Sequence, residues 1–298
     1  MKKYLIYIPA YNEEENIEKA IDAILNEYPE KKKSDYEIDI LIVDDGSMDR
    51  TYEICSLKNV LLLKHNYNMG LGRATYSALK FANDKNYAGA IKFDADLQHR
   101  PEDIDKVIKP LKENTADIVY GSRFKGKITY RMPMIRFLGN KFFSWLMRFL
   151  THWPISDAQT GLIGVSNNYL KVTNLMGDYN PPQQILIDAY IKKMRYIEVP
   201  VSFDKRTGGK SFISLKYPVK VFGIILKMFI YLNPIKVFCS FGALLILLGL
   251  IIGVYVFTKV WLYGVTPIVD DGTITVLIVS GIQFILFGLL ADILIHRK

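Results

Sequence analysis

The sequence predicts an α/β protein with a doubly wound, mostly parallel sheet, followed by interfacial amphipathic helices and two transmembrane helices. Short β-rich segments alternate with segments of helical periodicity in the front of the chain. Two uncharged stretches near the C-terminus are each long enough to cross a bilayer. The composition, with 50% hydrophobic residues and a mean hydropathy of +0.12, excludes a disordered chain, a collagen and a coiled coil. Two cysteines exclude a disulfide framework.

Strands and helices alternate from Tyr4 to Gly121. The predicted strands are Tyr4–Ala10, Ile38–Val43, Val60–Leu63, Ala88–Phe93 and Asp117–Gly121, and the predicted helices are Glu13–Tyr28, Met48–Ser56, Leu71–Ala82 and Pro101–Leu111. Because ligands of doubly wound sheets bind beyond the carboxyl ends of the strands, polar residues that follow a strand are candidate site residues.

Acidic clusters follow three of these strands. They are Tyr11-Asn12-Glu13 after the first strand, Asp44-Asp45-Gly46-Ser47 after the second and Asp94-Ala95-Asp96 after the fourth. The i, i+2 spacing of Asp94 and Asp96 could aim two carboxylates at one point, with Gln98 as a third oxygen ligand. Mg²⁺ and Mn²⁺ take such ligands and share them with substrate phosphates. A solvated turn is the alternative interpretation.

The second cluster has two interpretations. Asp44 or Asp45 could accept hydrogen bonds from a nucleotide base or ribose, as an acid after a strand does in dinucleotide folds. The alternative is a cap for the helix Met48–Ser56. Both roles can coexist if Ser47 or Asp49 supplies the cap.

The back of the chain is predicted to be membrane-embedded. Val237–Thr258 runs 22 positions and Gly272–Ala291 runs 20 positions without a charge, and each reaches roughly 30 Å at about 1.5 Å per residue. Residues 237–298 carry three basic and three acidic side chains, so the net charge of +8 lies in the front. Basic residues flank the outer ends of both spans, which places both termini in the cytoplasm. The first residues lack the pattern of a signal peptide.

A long segment of the front carries no acidic residue. Residues 118–156 contain seven basic side chains interleaved with aromatic ones, and residues 205–236 repeat the pattern. Such interleaving fits a nucleic acid or an anionic membrane surface. The adjacent spans favour the membrane, so we expect anionic lipid and no nucleic acid as the partner; an ordinary solvated basic face is the alternative.

Several motifs together resemble glycosyltransferase family 2, which has the GT-A fold, and within it the polyprenyl-phosphate glycosyltransferases. They are IPAYNEEENI (8–17), VDDGSMDRT (43–51), NMGLGRA (68–74), DADLQHRPE (94–102), GSR (121–123) and RTGGKS (206–211). The resemblance covers about the first 215 residues. It implies a GT-A catalytic domain at 1–212, juxtamembrane amphipathic helices at 213–236 and a two-helix anchor at 237–298.

The resemblance also implies roles for individual residues. Donor-binding residues would be Pro9, Tyr11, Glu13, Asp44, Asp45, Asp94, Arg206 and Ser211; metal ligands would be Asp94, Asp96 and Gln98; contacts to the acceptor phosphate would be Arg123 and Arg136; and catalytic residues would be Asp96 and Asp157. Asp157 would orient the acceptor or act as a base, with a capping role as the alternative. Two departures from the family pattern are Gln184, where an acidic residue is frequent, and Ser211-Phe212, where Ser-Lys is frequent.

The expected activity is an inverting transfer of a hexose from a UDP- or GDP-sugar to a polyprenyl phosphate (undecaprenyl or dolichyl phosphate) at the cytoplasmic membrane face, with Mg²⁺ or Mn²⁺. A processive polysaccharide synthase is one alternative, but the QxxRW motif of that class is absent. A non-catalytic membrane adaptor with a sugar-nucleotide fold is another. The oligomeric state is open between a monomer and a homo-oligomer.

Overall fold

The computed structural model describes residues 1–33, 35–175, 180–205, 230, 234–264 and 271–296. The chain divides into two compact units, Met1–Phe212 and Ile213–Lys298. The predicted helices at 213–236 lie almost wholly outside the described residues, and so do Arg206 and Ser211.

The first unit is built on one mixed sheet. Its strands are β1 (Lys2–Ala10), β2 (Tyr36–Asp44), β3 (Leu61–Lys64), β4 (Gly89–Lys92), β5 (Ile118–Ile128), β6 (Ile163–Ser166) and β7 (Tyr196–Phe203). Its helices are α1 (Ile17–Glu27), α2 (Thr51–Ser56), α3 (Leu71–Asp84), α4 (Asp103–Lys112), α5 (Met134–Thr151), α6 (Asn167–Leu170) and α7 (Pro181–Ile191), with a 3-10 turn at Pro29–Lys31.

The strand order β3-β2-β1-β4-β6-β5-β7 determines where a ligand can bind. Strands β1, β2, β3 and β4 are parallel neighbours, and β5 is parallel to β7, whereas β6 runs antiparallel between β4 and β5. After β1 the chain builds outward to β2 and β3, then returns to place β4 on the other side of β1. This reversal creates a crevice at the carboxyl ends of β1 and β4, where open α/β sheets bind their ligands.

Strand β1 is buried on both faces, as expected for a central parallel strand. Tyr4, Ile6 and Ile8 belong to one core cluster with residues of α1 and α4. Leu5 and Tyr7 point to the opposite face, which α3 covers. Together with the strand pairings given above, this confirms the predicted mostly parallel α/β sheet.

Two predicted helices begin later in the structure. Helix α1 starts at Ile17 rather than Glu13, because residues 13–16 form a turn in which the backbone N of Asn16 donates to Glu13 O (3.0 Å). Helix α2 starts at Thr51 rather than Met48, because the preceding residues bind the loop after β1. Strand β5 extends to Ile128, seven residues beyond its predicted end.

The second unit contains two long apolar helices, α8 (Pro234–Tyr263) and α9 (Asp271–His296), both long and apolar enough to cross a membrane. They pack closely through glycine. A Cβ added to Gly242 would lie 2.5 Å from the carbonyl O of Gly281, and one added to Gly281 would lie 2.7 Å from the carbonyl O of Gly242. Close backbone approach through small residues is a common way for membrane helices to associate.

Candidate active site at the carboxyl end of the sheet

Three of the predicted clusters meet at the crevice beside β1. The register pairs Ala10, at the end of β1, with Asp44, at the end of β2. On the other side of β1, Tyr7 pairs with Lys92, the last residue of β4. The residues that follow these three strands therefore surround one end of the sheet.

The loop after β1 is fixed by the segment after β2. Asn12 adopts a positive φ of 53°, and its backbone N donates to Ser47 Oγ (3.0 Å) while its Oδ1 accepts from the backbone N of Met48 (2.9 Å). The backbone N of Glu13 donates to Thr51 Oγ1 (2.9 Å). These bonds hold the loop in one conformation, with Pro9, Tyr11 and Glu13 all half-buried. Asp49 Oδ1 accepts from the backbone N of Thr51 (3.0 Å) at the start of α2.

Asp44 has an unsatisfied oxygen. Its side chain is fully buried, and Oδ1 accepts from the backbone N of Ser47 (3.1 Å). Oδ2 has no hydrogen-bond partner among the described residues. An unpaired buried acceptor carries a desolvation cost of about 1–3 kcal/mol, which a ligand N–H or O–H would remove.

Asp45 is hydrogen-bonded to the loop at 65–70. Oδ1 accepts from His65 Nδ1 (2.7 Å) and from the backbone N of Met69 (2.9 Å), and Oδ2 accepts from the backbone N of Gly70 (2.8 Å). Gly70 has a φ of +90°, which favours glycine. Asp45 therefore supports the 65–70 loop, and its role in donor binding stays a prediction.

Asp94 is held by two contacts that the sequence did not reveal. Oδ1 pairs with the ammonium of Lys92, which is 1% exposed. Oδ2 packs against Gly161, where an added Cβ would lie only 2.1 Å away. Gly161 also donates its backbone N–H to Nε2 of the buried His99 (3.3 Å). Burial lowers the pKa of His99 to about 4, so its ring is neutral at neutral pH.

Asp96 and Gln98 complete the predicted metal ligands. Asp96 Oδ1 accepts from the backbone N of Gln98 (3.2 Å), and Gln98 Nε2 donates to Asp204 O (3.1 Å), which leaves Gln98 Oε1 as that side chain's acceptor. Among the described residues, no group of three or more His, Cys, Asp or Glu side chains is placed to hold a metal. Two carboxylates and one amide oxygen still fit a cation such as Mg²⁺, which keeps several waters and substrate phosphates as ligands.

Arg123 and Asp157 form a buried ion pair. Asp157 Oδ2 accepts from Arg123 Nε (2.6 Å), and Oδ1 accepts from Arg123 Nη2 (2.7 Å). The backbone N atoms of Arg123 and Gln159 donate to the same carboxylate. Burial alone would raise the pKa of Asp157, but the Arg123 guanidinium and these hydrogen bonds lower it overall. A carboxylate with a lowered pKa and four donors is poorly suited to act as a base, so its contacts favour a role in positioning Arg123.

Arg136 and five of the aromatic residues of segment 118–156 lie on α5. Six apolar side chains on this helix are between 49% and 82% exposed: Met134, Ile135, Leu138, Phe142, Trp145 and Phe149. Phe143, Met147 and Leu150 are buried on another face. Lys141 Nζ lies 4.2 Å from the ring centroid of Phe124. Helix α5 therefore presents an apolar surface edged by basic side chains.

Sequence reasoning missed two residues that support the site, Lys92 and Glu198, and one buried polar residue, Gln183. Lys92 stands alone as a charged residue between Ile91 and Phe93, which could have signalled a buried cation. Glu198 accepts from the backbone N of Ser156 (2.7 Å) and pairs with Lys125 (2.9 Å), a contact across distant segments that no local pattern shows. Gln183 is buried in the first turn of α7, and neither of its amide atoms has a partner among the described residues. Its neighbour Gln184, noted as a departure from the family pattern, is half-buried.

Comparison with known proteins adds sequence relatives. A family model described as glycosyl transferase family 2 matches residues 5–170. The UDP-N-acetylglucosamine–dolichyl-phosphate N-acetylglucosaminyltransferase of Methanococcus voltae is 36% identical over 219 residues, which cover 66% of this chain and 84% of the relative. The dolichol-phosphate mannosyltransferase of Pyrococcus furiosus is 32% identical, covering 70% of this chain and 58% of the relative. The dolichyl-phosphate β-glucosyltransferase of Trichomonas vaginalis is 29% identical, covering 80% and 74%.

Solved structures are similar in fold. Glucosyl-3-phosphoglycerate synthase from Mycobacterium tuberculosis, in complex with Mn²⁺, UDP and glucosyl-3-phosphoglycerate, matches with a TM-score of 0.57 and 17% identity. The match covers 77% of this chain and 79% of that chain.

Proposed function

The chain belongs to glycosyltransferase family 2, and from this we infer that it transfers a sugar from a nucleotide sugar to a polyprenyl phosphate. It has a GT-A-like fold and two apolar C-terminal helices that could span a membrane. The resemblance predicted from the motifs is thereby confirmed at the level of the family. Its relatives are named for dolichyl-phosphate acceptors and for N-acetylglucosamine, mannose or glucose. We propose the same acceptor class here, with inversion at the anomeric carbon.

The observation that carries this proposal is the unpaired Oδ2 of Asp44 at the topological switch point. A buried carboxylate oxygen in this position accepts a hydrogen bond from an N–H or O–H of the donor nucleotide. Tyr11 and Glu13 lie on the fixed loop beside it, since the bonds to residues 47–51 hold that loop in place. In our proposal, Pro9, Tyr11, Glu13 and Asp44 bind the nucleoside, and Arg206 and Ser211 approach the diphosphate.

A divalent cation is proposed at Asp94, Asp96 and Gln98. When bound, it would neutralise the charge that develops on the leaving diphosphate. The protein's own part is to hold the two carboxylates in position, which Lys92 and Gly161 do for Asp94. Mn²⁺ accompanies UDP in the solved structure of similar fold, which supports a divalent ion without choosing between Mg²⁺ and Mn²⁺.

The acceptor supplies its own nucleophile. A phosphate monoester has a second pKa near 6 and is mostly a dianion at neutral pH. Its oxygen attacks the anomeric carbon, the bond from that carbon to the diphosphate oxygen breaks, and the nucleoside diphosphate leaves with the bonding pair. No proton must be removed, so positioning and charge stabilisation carry the catalysis. In our proposal, Arg123, held by Asp157, and Arg136 on α5 face the acceptor phosphate.

The proposed location is the cytoplasmic face of a membrane. Helices α8 and α9 anchor the chain, both termini are cytoplasmic, and the exposed apolar surface of α5 rests on anionic lipid. Each basic residue close to such a surface contributes about 1 kcal/mol.

The test is an assay of nucleoside diphosphate release by the detergent-solubilised protein. The reactions contain dolichyl or undecaprenyl phosphate, Mn²⁺ or Mg²⁺, and UDP-glucose, UDP-N-acetylglucosamine or GDP-mannose in turn. We expect release from one donor that requires both the lipid phosphate and the metal. Asp94→Ala should abolish it, whereas Asp84→Ala, which removes an exposed carboxylate at the end of α3, should leave it intact.

Two results would contradict the proposal. Activity that persists in EDTA would remove the metal from the mechanism. Donor cleavage that does not depend on the lipid phosphate would indicate another acceptor or hydrolysis.

A further inference from the structure

Lys92 is a buried cation inside the catalytic unit. It ends β4, its neighbours Ile91 and Phe93 are fully buried, and its own side chain is almost completely withdrawn from solvent. Lysine is rarely buried unless it is paired, because an isolated ammonium in the interior is costly. The structure pairs it with Asp94 Oδ1 and places its Nζ 3.5 Å from Gly161 O.

This pairing changes the charge available to a metal ion. Asp94 and Asp96 together carry two negative charges, and the ammonium of Lys92 cancels one of them at a contact distance. Because Oδ2 of Asp94 lies against Gly161, the carboxylate has little room to turn away from Lys92. A divalent cation held by Asp94 would therefore share that carboxylate with the fixed positive charge of Lys92.

We propose that Lys92 is a positioning residue that makes metal binding depend on the donor. With Lys92 present, the two carboxylates and Gln98 bind a divalent cation weakly, and the diphosphate of the nucleotide supplies the missing negative charge. Metal and nucleotide then bind with positive coupling, so the free enzyme binds a metal ion more weakly than the enzyme with its nucleotide bound. This inference rests on the proposed metal-dependent transfer.

The coupling can be measured without turnover. Binding of Mn²⁺ to the full-length protein in detergent is followed by electron paramagnetic resonance of free Mn²⁺, with and without UDP or GDP. We expect Mn²⁺ to bind at least about tenfold more tightly with the nucleotide than alone, which lies within the usual range of coupling between two ligands. The nucleotide should gain the same factor from Mn²⁺, because coupling is reciprocal.

Three variants separate charge from shape. Lys92→Gln removes the charge but keeps a donor for Asp94, and it should bind Mn²⁺ alone about tenfold more tightly than the wild type, with a smaller gain from nucleotide. Lys92→Met, which has a similar length and no charge, should do the same. Lys92→Arg keeps the charge and is the matched control, with coupling close to the wild type. Circular dichroism of each variant confirms that it is folded.

The outcomes distinguish this inference from the proposed function. If the wild type binds Mn²⁺ with nucleotide but Lys92→Gln and Lys92→Met bind Mn²⁺ alone no more tightly, only the role of Lys92 is overturned. If the wild type binds no Mn²⁺ even with UDP or GDP, the metal-dependent mechanism and this inference both fail.

Discussion

Replacing Asp157 by Asn tests whether the buried pair with Arg123 supports the site or reacts in it. The carboxylate is fully buried and accepts two side-chain hydrogen bonds from Arg123, at 2.6 and 2.7 Å. An asparagine has one acceptor oxygen, and its amide group would face the donors of the guanidinium. Breaking a buried ion pair from one side costs about 3–5 kcal/mol, because a charge is left without its partner. For a unit of this size, that cost lowers the melting temperature by roughly 6–20 °C.

The measurement is thermal unfolding in detergent, followed by tryptophan fluorescence. Trp153 stacks on Tyr196 with ring centroids 4.9 Å apart, within the same unit, so its emission reports on this region. Arg123→Met should destabilise by a similar amount, since it leaves the carboxylate unpaired. The double variant Arg123→Met/Asp157→Leu should cost less than the sum of Arg123→Met and Asp157→Leu, because it leaves neither charge behind.

Activity measured well below the transition separates the two roles. If Asp157 positions Arg123, the Asn variant should lose affinity for the acceptor lipid, with a raised KM for the polyprenyl phosphate. The reasoning is refuted if Asp157→Asn melts within about 2 °C of the wild type and yet has lost its turnover with acceptor binding unchanged. That result would place the carboxylate among the reacting groups.

Three further changes test other parts of the structure. Gly161→Ala should displace the Asp94 carboxylate and reduce turnover at least about tenfold, while the protein stays folded. This corresponds to a loss of about 1.4 kcal/mol of transition-state stabilisation. An unchanged kcat would show that the site tolerates the added methyl group. Burial would raise the pKa of Asp117, but its bonds to Arg195 and nearby donors lower it to about 2. The stability this provides is therefore complete above pH 4 and lost as the pH falls towards 2. We expect about 1 kcal/mol after solvent screening, because Arg195 is half exposed; acid unfolding of Asp117→Asn should lack this step, and an identical acid profile would contradict the assignment. Gly281→Val would place a larger side chain against the α8 backbone and separate the two helices. Disulfide formation between cysteine pairs placed along α8 and α9 should then become slower. An unchanged rate of disulfide formation would show that the glycine contact is dispensable.

The parallel half of the sheet could be predicted because its strands are apolar, short and separated by helical segments. The antiparallel strand β6 was not predicted, since Ile163 and Val165 are the only large apolar side chains of Ile163–Ser166. Its place between β4 and β5 depends on pairing with residues 43 to 77 positions away along the chain. Such pairings are set by tertiary packing rather than by local pattern.

The candidate site shows the same division. The clusters after β1, β2 and β4 were visible because acidic residues stood directly after apolar strands. The different contacts of Asp44 and Asp45 could not be predicted from the sequence. The loop at 65–70 folds back onto the carboxylate of Asp45 and leaves one oxygen of Asp44 without a hydrogen-bond partner among the described residues. The pairing of Arg123 with Asp157 likewise joins residues 34 positions apart, and each was interpreted separately from its own motif.

Two ion pairs hold charged side chains of the site in fixed positions, and this has a consequence for catalysis. Lys92 pairs with Asp94 and Arg123 with Asp157, whereas the buried Asp44 keeps one carboxylate oxygen without a hydrogen-bond partner among the described residues. Each pair also fixes the direction of the group that the proposed mechanism uses, because a buried ion pair has few alternative geometries. Fixed charges need no reorganisation when charge develops on the leaving diphosphate, which is the condition for electrostatic catalysis. In the proposed mechanism, the negative charges of donor and acceptor therefore meet cationic side chains whose positions are already fixed, and a bound metal ion would add further positive charge.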